Sequence, residues 1–78
     1  MIERRNYEEE GRAVKATALA RVLLPVMRRN PRLSIEGVEA MGPEARATVA
    51  KLAGVKVPSD RTWAVMVQLI RAQLARPR

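Results

Sequence analysis

Arg61, Ala64, Gln68 and Arg71 are the residues whose types and spacing come nearest to a recognition chemistry. At 100° per residue they fall on one side of a helix, away from an apolar stripe of Trp63, Met66, Val67, Ile70 and Leu74. A guanidinium pairs with guanine, a glutamine amide with adenine, and a small alanine lets a helix approach base edges closely. The four therefore read as a candidate face for a major groove, and equally as an ordinary solvated helix face. A second set, Arg28, Arg29, Arg46, Lys51 and Lys56, suits phosphate contact, which positions a protein on nucleic acid without reading sequence.

Other chemistry has little to work with. The chain holds no histidine and no cysteine, which removes imidazole and thiol catalysis, disulfides and structural zinc together. Glu8, Glu9 and Glu10 read as the negative N-terminus of a helix, and Asp60 as a first-turn partner of another. There is no glycine-rich phosphate loop and no nucleophile–base pair. The expectation is a binding protein, not an enzyme, with no cofactor and no metal.

Charge is the loudest signal. Fifteen basic residues stand against eight acidic ones, a net of +7 at neutral pH, and phosphate contacts by such residues supply most non-specific affinity for nucleic acid. A solvated, soluble surface is the plainer account of the same charge. The layout favours a polyanion partner. Residues 13–35 hold Lys15, Arg21, Arg28, Arg29 and Arg32 and no acid, and residues 52–78 hold five bases against Asp60 alone. Between them, Glu36, Glu39 and Glu44 make the middle near-neutral.

The elements that must position these residues are helical. Aliphatic residues dominate the apolar fraction, and Tyr7 and Trp63 are the only aromatics, a supply that suits helix packing and gives little for a sheet. Residues 7–29 predict a helix with Ala16, Leu19, Ala20, Leu23, Leu24 and Met27 in one stripe, kinked or ended near Pro25. Ser34 caps a short helix over 35–41, with Ile35, Val38 and Met41 on one face. Gly42-Pro43-Glu44 stops one helix and starts the next, over 43–53, turning Ala45, Val49 and Leu52 inward and Arg46 and Lys51 outward before Gly54 ends it. Ser59 caps the last helix, 60–75, whose stripe makes Trp63 a core anchor in preference to a base-stacking platform. The result is an all-α array of about four helices in a single domain, 1–78, with tails at 1–6 and 76–78.

The stretch from Pro43 through a second, capped helix bearing Arg and Gln resembles a helix-turn-helix unit. Ala50 and Gly54 take that family's small residue and turn glycine. With the turn lengthened by three residues, Trp63 and Met66 take its two inner apolar positions, whereas at the usual length Asp60 would fall there. The resemblance implies a DNA-binding module with the last helix as its reading element. The run from Val55 to Asp60 followed by an amphipathic helix also resembles the opening of a ribbon-helix-helix repressor, with Lys56 as its one groove-reading residue; it ranks below the first.

The expectation is a small cytoplasmic module that binds nucleic acid, double-stranded DNA first, as a bacterial, phage or plasmid regulator. Val65 and Leu69 widen the last helix's apolar face and point to a possible homodimer contact. The alternative is a protein-interaction module, an adaptor, inhibitor or assembly subunit without nucleic acid. A membrane partner is not expected, because the apolar run from Val14 to Met27 is broken by Lys15, Arg21 and Pro25.

Overall fold

The structure is a computed structural model that describes the backbone of residues 2–76 and the side chains of 11–76. It is all-helical over the described residues: α1, Ile2–Arg29; α2, Ile35–Glu39; α3, Pro43–Ala53; and α4, Asp60–Ala75. The third and fourth helices have the expected bounds. Their ends are set locally. Ser59 accepts the Thr62 N–H through Oγ at 3.2 Å, and Gly54 adopts the left-handed φ of 72° that a side chain disfavours. The Gly54 N–H then reaches the Lys51 carbonyl and the Val55 N–H that of Ala50, at 3.2 and 3.0 Å. These two bonds satisfy two of the last four carbonyls of α3.

Two helices differ from expectation. α1 begins at Ile2, so the expected tail 1–6 is helical from there on, and Glu8–Glu10 fall beyond the first turn. Pro25 lies inside α1 without ending it. Leu23 and Met27, on either side of it, are both buried and hold the helix to the core. Pro25 and Arg21, whose carbonyl loses its helical donor, are both exposed. α2 stops at Glu39 instead of Met41. The Met41 N–H bonds three residues back, to Val38, so the last turn tightens before Gly42 and Pro43. Of the expected tail 76–78, residues 77 and 78 lie outside the described residues.

α1 is the spine. At 1.5 Å per residue its 28 residues span about 42 Å, close to the 44 Å longest dimension of the molecule. α3 and α4 each lie along it, and α2 packs on α4. Ala16, Leu19, Ala20, Leu23 and Met27 from α1 meet Val38, Val49, Ala50, Trp63, Met66, Val67 and Ile70 in one core. Three expected inward residues are not there. Leu52 is 69% exposed, Leu74 52%, and Ala45 also faces solvent. α3 is rolled so that Arg46, Val49, Ala50 and Ala53 turn inward, with the small Ala50 against the core. Leu74 sits in the last turn of α4, past the end of the core.

Trp63 closes the interior as expected of an anchor. It is 1% exposed, and its indole N–H donates to the Val38 carbonyl at 2.9 Å, tying α4 to α2. Among the described residues no buried side-chain polar atom lacks a partner.

Candidate nucleic-acid interface

The outer face of α4 is built by the helical period. Trp63, Met66, Val67 and Ile70 go inward, so Arg61, Ala64, Gln68 and Arg71 remain exposed, as their spacing requires. Their surroundings are less simple. Packing of α2 on α4 brings Glu39 to Arg71, whose guanidinium donates to the carboxylate at 3.0 Å. Glu39, Ala64, Val67, Gln68 and Arg71 line one open groove of about 390 Å³. Glu36 and Glu39 with Ala40 and Arg71 line a second hollow beside it. The face therefore carries a cation at Arg61 with no partner among the described residues and a paired one at Arg71, with two carboxylates alongside.

Arg46, expected among the phosphate contacts, is turned into the fold instead of out to solvent. The roll of α3 leaves its side chain 20% exposed, and two of its guanidinium nitrogens are engaged. Nε donates to the Met41 carbonyl at 2.9 Å and Nη1 to Asp60 at 2.6 Å. The guanidinium carbon lies 5.1 Å from the centre of the Trp63 ring, a cation–π distance. Three contacts on two elements make it a clasp from α3 to the turn before it and to α4. The partners stand 5, 14 and 17 residues away along the chain, beyond the reach of any helical spacing rule.

The remaining phosphate candidates are open. Arg28 and Arg29 end α1 and are exposed, as are Lys51 in the last turn of α3 and Lys56 in the connector. Arg21 and Arg32 join them on the surface. Arg21 and Arg28, seven residues apart, share the side of α1 away from Leu19 and Leu23, about 10 Å apart along the axis. Of the two residues expected to extend the apolar face of α4, Val65 packs against the core and Leu69, 36% exposed, is left outward.

Six residues, 54–59, separate α3 from α4, against the three or four of a usual helix-turn-helix turn. The two helices approach each other through the Arg46 side chain, with their backbones packed on α1 instead. The connector forms no strand within this chain. No helix among the described residues is long and apolar enough to cross a membrane. No family model, curated protein or solved structure matches the chain.

Proposed function

We propose that this chain is a nucleic-acid-binding module that grips the phosphate backbone with Arg21, Arg28, Arg29 and Arg32, with Lys51, Lys56 and Arg61 adding charge. One observation carries the reading. The ion pairs among the described residues are Arg46–Asp60 and Arg71–Glu39. They use two of the four acids beyond Glu10, while Arg21, Arg28, Arg29 and Arg32 are exposed and have no acid between residues 11 and 35. Arginine presents a planar fork of donors that suits phosphate oxygens.

The test is a salt titration of binding to a labelled 20-bp DNA duplex, read by fluorescence anisotropy. Four phosphate contacts give a slope of about −3.6 in log K against log salt, or a loss of about 150-fold between 50 and 200 mM. Arg28→Ala and Arg32→Ala should each flatten the slope by about 0.9. Absence of binding at 50 mM salt would refute the reading.

A second reading is favoured by the exposed apolar side chains Leu52 and Val57, at 69% and 59%. These would suit a protein-interaction module. Under that reading the duplex does not bind at low salt, and the arginines serve solubility alone.

A further inference from the structure

We infer that the module holds duplex DNA by its backbone and does not read base sequence. The inference rests on the nucleic-acid reading above and sets what kind of nucleic-acid binder it describes.

Base readout needs side chains free to reach base edges on an element that fits a groove. α4 is the element whose outer face offers them, and two features of the fold count against it. Arg71 is already paired with Glu39, which leaves Arg61 and Gln68 as the long side chains on that face without an ion-pair or hydrogen-bond partner among the described residues. More important, a helix entering a major groove brings its neighbouring element against the phosphate rim. Here that neighbour is α2, whose exposed acids are Glu39, in the α4 groove, and Glu36, in the hollow beside it. A carboxylate set against phosphate repels; Arg71 offsets Glu39, and no base on α2 offsets Glu36.

Single strands are disfavoured for a separate reason. Sequence-tolerant binding of single strands draws much of its strength from bases stacked on exposed aromatic rings. Trp63 is 1% exposed, with its N–H committed to Val38 and Arg46 over its ring. A single strand also releases fewer counterions for each phosphate contacted. For four contacts at 50 mM salt, that difference alone makes a single strand bind about tenfold more weakly than a duplex.

The inventory is thus rich in backbone donors and poor in readers. Arg21, Arg28 and Arg29 stand on one spine and Arg32 in its following loop, with no acid between residues 11 and 35.

The experiment has two arms on the intact chain. In the first, a pool of duplexes with a random 20-bp centre is taken through repeated rounds of binding at 100 mM salt, and the retained pool is sequenced. The expected result is no motif enriched in affinity by fivefold, the least that one bidentate base contact is worth. In the second, anisotropy compares a duplex with either of its strands at 50 mM salt, where the duplex should bind about tenfold tighter. An enriched motif of fivefold or more overturns the inference, as does a single strand that binds as tightly as the duplex; both leave the nucleic-acid reading standing. Failure of every probe to bind at 50 mM salt overturns both.

Discussion

Replacing Arg46 by methionine keeps most of the stem and removes the guanidinium, and the loss can be worked out contact by contact. The bond to the Met41 carbonyl, 2.9 Å and partly buried, is charge-assisted and contributes about 1.5–3 kcal/mol. The pair with Asp60 contributes little, about 0–1 kcal/mol, because that carboxylate is 97% exposed and screened by water. Stacking over Trp63 adds about 0.5–1 kcal/mol. The sum is about 2–5 kcal/mol, which lowers the melting temperature of a domain this size by roughly 8–40 °C. Thermal melts followed by circular dichroism at 222 nm read the effect, with urea unfolding followed by Trp63 fluorescence as a second probe. Arg46→Lys should recover only part of the loss, since one ammonium cannot bond the Met41 carbonyl and lie over the ring at once. Asp60→Asn separates the contributions and should cost under about 1 kcal/mol. If Arg46→Met melts within about 3 °C of the parent chain, the clasp does not hold the fold. If Asp60→Asn costs as much as Arg46→Met, the ordering of contributions is wrong.

Gly54→Ala should destabilise by about 1–2 kcal/mol in urea unfolding, because a Cβ is strained at φ 72° even though nothing crowds the site. A neutral substitution would mean that the end of α3 adjusts. Trp63→Phe leaves the Val38 carbonyl without its indole donor and opens space in the core, at a cost of about 2–4 kcal/mol; a loss below about 1 kcal/mol would show that the ring is not the anchor. Leu52→Ser, at a site 69% exposed, should leave the melting temperature within about 3 °C. A large drop would place Leu52 in an interface that exists in solution. Added sodium chloride should raise the stability of the free chain by screening its net charge of +7. It should lower the stability of the chain with saturating duplex, so equal slopes with and without DNA would count against the binding reading.

The helix boundaries were legible because their causes are local. Ser34 and Ser59 accept amide donors three residues on, and Gly54 supplies a conformation that its neighbours cannot, so α3 and α4 could be bounded from a few adjacent residues. The roll of α3 was not legible. Ala45, Val49 and Leu52 form a stripe as good as Arg46, Val49, Ala50 and Ala53, and the chain's alanine content makes the two faces nearly equal in apolar character. Contacts with Trp63 and Asp60 on α4 accompany the second choice, and no spacing within α3 encodes them. Of the two outcomes expected at Pro25, an end to the helix is the one that does not occur. The proline's local cost is real, yet Leu23 and Met27 are both fixed by tertiary packing. The candidate site was legible as a set of cations and not as a set of free cations, because Arg71 finds its acid 32 residues away.

That last distinction explains why the two groups of arginines differ in kind. An arginine can be neutralised by an acid three or four residues away on its own helix, or by one delivered through the fold. The second half of α1 has no acid to offer, since none occurs between residues 11 and 35. The fold does deliver acids, but to other places: Asp60 to Arg46 and Glu39 to Arg71. Arg46 thereby becomes part of the packing, and Arg71 part of the α2–α4 contact. Arg21, Arg28, Arg29 and Arg32 make no side-chain contact of that sort among the described residues, and the core lies across the helix from Arg21 and Arg28. Their charge adds self-repulsion to the folded state and no packing in return. Surface positions of this type change stability little when substituted, so the α1 arginines can be varied for binding without unfolding the chain, whereas Arg46 cannot.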